Sequence, residues 1–284
     1  MIWKTRRISL DFNDKDLHEG VVMAILNATP DSFSDGGQHD DHSKAVAAGQ
    51  QMISDGAKII DIGGESTRPG APSVSAEQEI FRTEPLVRAL RAESEVLISI
   101  DTSKASVATA AINAGADIVN DVTGLTGDSA MVEVCAEAGV GVVVMHMQGT
   151  PRTMQQNPTY PNGVVTEVAD FFKQRLDTLT AAGIDLENII LDPGIGFGKT
   201  LDQNLELLRN LGTLQRQLGR PLLLGVSRKS FIGKITGIEN AAERDSATAA
   251  LTAMACQQGI LLHRVHHVPA NLHAMQLAAA IQQV

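Results

Sequence analysis

Eight short apolar runs recur along this chain, and they restrict its fold more than any other feature. In order they are VVMAIL from Val21, KIIDIG from Lys58, VLISID from Val96, DIVNDV from Asp117, VGVVVMH from Val140, NIILDPG from Asn188, PLLLGVS from Pro221 and GILLHRVH from Gly259. Each is rich in Val, Ile and Leu and almost uninterrupted, the pattern of strands buried on both faces of a parallel sheet. Between them lie stretches with helical spacing, such as SKAVAAGQQMISDGA, KASVATAAINAGA, NLELLRNLGTLQRQLG and AAERDSATAALTAMACQQG. Gly56, Gly115, Gly139, Gly183, Gly219 and Gly259 come just before the next run, where helix C-caps belong. Eight strand–helix units in 284 residues predict an α/β fold, a (β/α)8 TIM barrel, whose usual length is about 250 residues. The competing doubly wound sheet uses fewer strands and a glycine fingerprint after the first, which is missing here. Ile8, Leu10 and Phe12 alternate, so residues 1–20 read as a hairpin closing the barrel's bottom. With no linker, low-complexity tract or charge block, residues 1–284 read as one domain.

Charge narrows the partners. Lys and Arg number 23 against 33 Asp and Glu, a net charge of −10, which argues against nucleic acid and anionic membranes. An anionic substrate then needs a local basic cluster. No apolar run approaches the roughly 20 residues of a membrane span, and MIWKTRRISLDF lacks the apolar core of a secretory signal. Cys135 and Cys256 sit in apolar helical contexts without CxxC spacing, as reduced structural thiols of a cytoplasmic protein do.

In a barrel of this kind, chemistry belongs at the C-terminal ends of the strands. Those ends carry Asn27, Asp61 with Glu65, Asp101, Asn120 with Asp121, Met145 with His146, Asp192, Ser227-Arg228-Lys229, and Arg264 with His266. One buried acid at a strand end is usually a hydrogen-bonded structural group. A polar group at almost every end is hard to explain by stability alone. Two ornate segments follow the first and second runs, NATPDSFSDGG (Asn27–Gly37) and GESTRPGAPSVSAEQE (Gly64–Glu79). Their Gly, Pro and Ser content and small apolar surface predict two long loops that are mobile when empty. Ser75–Gln78 within the second reads as a helix N-cap with a capping-box partner. PGIGFGKT (Pro193–Thr200) lacks the first glycine of a P-loop; its glycines suit sharp turns passing close to a flat ligand. His263, His266 and His267 lack the spacing of zinc ligands.

NATPDSFSDGG, DIGGESTRPGA, SIDTSKASVA, ADIVNDVTG, MHMQGTP, LDPGIGFGK, GVSRKSFIG and HRVH together resemble the dihydropteroate synthase family along nearly the whole chain. The resemblance implies condensation of 7,8-dihydropterin-6-ylmethyl diphosphate with p-aminobenzoate, giving 7,8-dihydropteroate and diphosphate in folate biosynthesis, with Mg2+ as cofactor. By matching motif, Asp101, Asn120, Met145, Asp192, Phe197, Gly225 and Lys229 would line the pterin pocket. Asn27, Thr67, Arg68, Arg264 and His266 would hold the diphosphate, Asn27 also being the Mg2+ ligand. Phe33, Thr67, Arg68, Pro69, Lys229 and Ser230 would shape the p-aminobenzoate site, where sulfonamides compete. Asp101, Lys229, Arg264 and His266 carry the catalytic expectation. The resemblance also implies a homodimer through the later barrel helices.

The chemistry of these groups agrees. A pterin's amino-oxo edge presents adjacent N–H donors that one carboxylate can accept together. Diphosphate leaves readily once its charge is spread over Mg2+, arginine and imidazolium. If the C–O bond breaks first, Asp101 is placed to stabilise a cationic methylene for attack by the arylamine. The chain departs from the family pattern at Ala28, Ile195 and His267, where Val, Phe and Asp are usual, and Pro269, Ala270 and Asn271 lack the customary acid. Two alternatives differ in class. A pterin-dependent corrinoid methyltransferase has no use for STRPGA or Lys229, and a non-catalytic pterin-binding paralogue has no need of Asn27, Thr67, Arg68, Lys229, Arg264 and His266.

Overall fold

The eight apolar runs form eight parallel strands: β3 (Val21–Asn27), β4 (Ile59–Gly63), β5 (Leu97–Asp101), β6 (Ile118–Asp121), β7 (Gly141–Met145), β8 (Ile189–Asp192), β9 (Leu223–Leu224) and β10 (Leu262–Val265). They are seen in a computed structural model that describes residues 1–14, 17, 19–28, 38–66, 71–150 and 153–282, with the backbone alone for 38–41. The strands pair in the order β8-β7-β6-β5-β4-β3-β10-β9, and a parallel bridge from Leu191 to Leu222 joins the two ends into an eight-stranded barrel.

Because successive side chains on a strand point to opposite faces, the barrel sorts each run into two sets. Val21, Met23, Ile59, Leu97, Ile118, Val143, Ile190, Leu223 and Leu262 fill the interior. Their neighbours, including Val22, Ile60, Ile98, Val119, Val142, Leu191, Leu224 and Val265, pack outward into the larger core beneath the helices. Those helices are α1 (Gln38–Ser54), α2 (Ala76–Glu93), α3 (Ala105–Ala114), α4 (Met131–Ala138), α5 (Val164–Ala181), α6 (Leu201–Arg209), α7 (Leu211–Leu218), α8 (Ser230–Thr236), α9 (Asp245–Cys256) and α10 (Val268–Gln282). The six glycines expected as helix ends all have positive φ, from 61° at Gly219 to 119° at Gly115.

The N-terminal hairpin pairs β1 (Ile2–Lys4) with β2 (Ser9–Asp11) and closes the bottom, as the alternation predicted. Its plug is different. Ile8 precedes the strand and is exposed, whereas Leu10 and a fully buried Trp3 enter the interior cluster. Trp3 Nε1 donates to Asn188 O at 2.9 Å, tying the hairpin to the start of β8. Ser75 caps α2 through Gln78 N, while the reciprocal capping box forms at Thr200 and Gln203.

Candidate active site

The same period of two that packs the interior carries its upper layer. Two residues beyond Ile59, Leu97, Ile118, Ile190 and Leu262 stand Asp61, Ser99, Asn120, Asp192 and Arg264, and Asp101 lies two beyond Ser99. The barrel is therefore apolar below and ionic above, at the C-terminal ends of its strands.

Arg264 organises this layer. Its Nε donates to Asp61 Oδ2 and its Nη2 to Asp101 Oδ2, each at 2.6 Å. Asn120 Nδ2 donates to the same Asp61 oxygen at 3.2 Å. Burial alone would lower the guanidinium, but Asp61 and Asp101 outweigh it and hold Arg264 above its ordinary value. Burial pushes Asp101 up to about 7 against the pull of Arg264. Asp61 Oδ1 and Ser99 Oγ, both buried, find no hydrogen-bond partner among the described residues.

Across the mouth, Asp192 sits beside Met145 in the β7–β8 register. Its Oδ1 accepts from Gly194 N at 2.7 Å. A side chain at Gly225 would begin 3.4 Å from Asp192 Oδ2, so glycine keeps that approach open. Lys229 Nζ lies 4.4 Å from the centre of the Phe197 ring and donates to Ile195 O. Burial lowers Lys229 to about 8, opposed by Asp192, while burial raises Asp192, opposed by Lys229. Arg228 holds this turn by a two-pronged pair with Asp245, 2.7 Å on each arm.

His266 Nδ1 lies 2.9 Å from Ser227 Oγ, which also accepts from His266 N at 3.1 Å. His267 does something else. Its Nδ1 accepts from Ala270 N at 3.2 Å, so the imidazole caps α10. Asn27 ends β3 in register with Gly63, which is in turn beside Asp101, and Ser230 is exposed at the start of α8.

The residues expected to line a pterin pocket thus share one mouth with Arg264 and Asn27. Phe33, Thr67, Arg68 and Pro69 lie outside the described residues, as do the loop tips expected to be mobile.

Other strand-end groups face away. His146 turns outward and packs edge-on against Phe171, its ring held neutral by burial and by Lys199, with a pKa lowered to about 3. Lys199 Nζ lies 3.0 Å from His146 Nδ1 and donates to Gly194 O and Phe197 O at 2.9 Å. The glycines of PGIGFGKT press on protein: added side chains would meet His146 O at 1.9 Å from Gly194 and Gln148 O at 2.5 Å from Gly198. At Gly194 and Gly198 the positive φ serves this loop-to-loop contact, whereas Gly196 faces Lys229, whose Cδ a side chain there would meet at 3.1 Å. Asp61 and Ser227 received no role from the sequence. Their place at strand ends was the available signal for both, and strand parity a further one for Asp61.

The pterin binding enzyme family matches residues 23–266. A dihydropteroate synthase from Synechocystis is 46% identical over 260 residues, covering 92% of this chain and 89% of its own. A crystal structure of the Yersinia pestis dihydropteroate synthase with a sulfonamide drug complex superposes with a TM-score of 0.91 at 41% identity, covering all of both chains. That of the Xanthomonas albilineans enzyme in complex with 7,8-dihydropteroate gives 0.88 at 38% identity, again with full coverage of both. With the fold, the ionic mouth and this agreement over the whole length, the chain belongs to the dihydropteroate synthase family, enzymes of folate biosynthesis.

Proposed function

We propose that the barrel mouth carries out the family's condensation by breaking the pterin methylene C–O bond first. One observation carries the reading: Arg264 bridges two carboxylates beside a second carboxylate–cation pair, Asp192 and Lys229, in an otherwise apolar barrel. Asp192 accepts from the donor edge of the pterin, and Asn120, Met145, Phe197 and Gly225 enclose its faces. The C–O electron pair leaves with diphosphate, whose charge meets Arg264 and His266. The methylene left behind is cationic, and the ionised Asp101 stabilises it. The arylamine nitrogen of p-aminobenzoate then forms the new C–N bond and gives up a proton. An arylamine is a weak base, so no strong general base is needed.

Mg2+ belongs to the same proposal. Among the described residues no three His, Cys, Asp or Glu side chains converge. The amide oxygen of Asn27, a hard ligand at the end of β3, would hold the ion together with diphosphate and water. When bound, it spreads the leaving group's charge. Thr67 and Arg68 for diphosphate, and Phe33, Pro69 and Ser230 for p-aminobenzoate and competing sulfonamides, rest on the motif match. Homodimer formation is supported by Met254 on α9 and Leu277 and Ile281 on α10, all exposed. Among the described residues no helix is long and apolar enough to cross a membrane. Cys135 and Cys256 are free and buried, which supports a cytoplasmic setting.

Diphosphate release, measured with and without p-aminobenzoate, tests the reading. Release that requires p-aminobenzoate is expected. Pterin binding without release would mark a non-catalytic paralogue, and methyl transfer to a corrinoid would mark the methyltransferase.

A further inference from the structure

Beside the ionic mouth, a second charged cluster joins three segments of chain. Glu65 stands two residues past β4, Glu79 lies in the first turn of α2, and Lys104 immediately precedes α3. Lys104 Nζ donates to both Glu65 and Glu79. Glu79 is 1% exposed, and its other oxygen has no partner among the described residues. The other oxygen of Glu65 accepts from Val74 N at 3.2 Å. Residue 64 is pressed onto α2: Arg82 Nη1 donates to Gly64 O at 2.8 Å, and a side chain there would meet Thr83 Cγ2 at 2.8 Å.

A pair between Lys104 and Glu79 would be enough to neutralise a buried acid. Glu65 adds a link of another kind, because Glu65 and Val74 are the two ends of the segment 66–73. One carboxylate thereby ties that segment's departure from the barrel to its return. Lys104 is what permits two carboxylates to meet there. Burial pulls its ammonium down, yet Glu65 and Glu79 outweigh burial and keep it above its ordinary value.

We propose that Glu65 and Lys104 are positioning residues for the p-aminobenzoate half of the reaction: they set where the segment 66–73 leaves and rejoins the barrel. They touch no reacting atom and act through that segment. The inference rests on the functional reading above for the ligand that feels the change, since that reading assigns Thr67, Arg68 and Pro69 to p-aminobenzoate. It also separates the pair from Asp101, three residues before Lys104, whose loss would be felt by the pterin.

The test measures steady-state KM for p-aminobenzoate, kcat, and equilibrium binding of a pterin analogue in the full-length parent, Lys104→Gln, Glu65→Gln, Lys104→Arg and the double Glu65→Gln/Lys104→Gln. Loss of one partly buried charged contact should raise KM for p-aminobenzoate about tenfold in each Gln variant. Pterin affinity and kcat should stay within about twofold. Lys104→Arg should recover most of the effect, and the double variant should be no worse than the poorer single one, because both break one device. Glu65→Gln keeps an acceptor for Val74 N and tests the charge even if Lys104→Gln does not fold. An active parent with unchanged KM in the soluble variants overturns the inference alone, as does a loss of pterin affinity equal to the rise in KM. A parent that releases no diphosphate with p-aminobenzoate overturns the functional reading and this inference with it.

Discussion

Replacing Arg264 by methionine removes one cation and leaves two carboxylates behind. In the intact protein Arg264 makes a 2.6 Å hydrogen bond to each, with side chains 22% exposed for Arg264, 0% for Asp61 and 10% for Asp101. Hydrogen bonds to charged groups contribute about 1.5–3 kcal/mol each, so two sum to about 3–6 kcal/mol. Breaking one side of a buried ion pair costs about 3–5 kcal/mol by a separate route. Asp101 can relieve part of this. Its pKa, already raised to about 7 by burial, loses the opposing pull of Arg264 and rises further, so the group takes up a proton. The lower end, about 3 kcal/mol near pH 7, is therefore expected. The pH dependence has a definite sign. A carboxyl whose folded pKa lies above its unfolded value of 3.8 holds a proton that the unfolded chain has lost. The parent's Asp101 shares this loss up to about 7, so the variant's deficit relative to the parent should grow as pH rises above about 7, where only the parent's carboxyl ionises. Urea unfolding of the parent, Arg264→Met, Asp61→Asn and the double variant measures it. Asp61→Asn removes the charge that Arg264→Met strands, so the double variant should fall short of the sum by about 1–3 kcal/mol. Additivity within about 0.5 kcal/mol would refute the assignment of Arg264 as the partner that holds Asp61 in the barrel.

Asp192→Asn keeps shape but cannot accept from both pterin donors; calorimetry should show pterin affinity lowered about tenfold to a hundredfold, and unchanged binding would remove Asp192 from the site. The proposed roles need Asp101 ionised, above about 7, and Lys229 protonated, below about 8. Activity should therefore peak narrowly between those values, with the alkaline limb moved upward in Lys229→Arg; a limb that stays in place would sink the assignment. His267→Asp restores a better acceptor and an anion at the N-terminus of α10, worth about 0.5–1 kcal/mol, and a melting temperature that fails to rise would count against the cap. Diphosphate, p-aminobenzoate and the two ornate segments are expected to be thermodynamically linked, so a titration of p-aminobenzoate should show tighter binding with diphosphate and a pterin analogue present; equal affinities would dismiss ordered binding.

Period and composition are local properties, and what depends on them was readable along the chain. Uninterrupted Val/Ile/Leu runs at eight places require a sheet covered on both faces, and the helical spacing between them supplies the cover. Strand parity then obliges Asp61, Asp101, Asn120, Asp192 and Arg264 to point the same way as the interior Ile59, Leu97, Ile118, Ile190 and Leu262. Motif content went further and assigned the chain to its family, as the agreement with known relatives bears out.

Pairing was not readable, because it depends on closure. Arg264 meets Asp61 and Asp101 across separations of 203 and 163 residues. Nothing near Arg264 in the chain announces those partners; they meet because β10 pairs with β3, β3 with β4 and β4 with β5. Trp3 found its acceptor 185 residues away for the same reason, and Lys199 found His146 only once two neighbouring strand-end loops were stacked. His267 reads in the sequence only as a departure from the usual Asp; that its Nδ1 accepts from Ala270 N at the start of α10 is decided by the folded chain. Side-chain direction follows from the two-residue repeat of a strand. Which charges neutralise one another follows from the three-dimensional path, since a Coulombic partner is set by distance through space and not by separation along the chain.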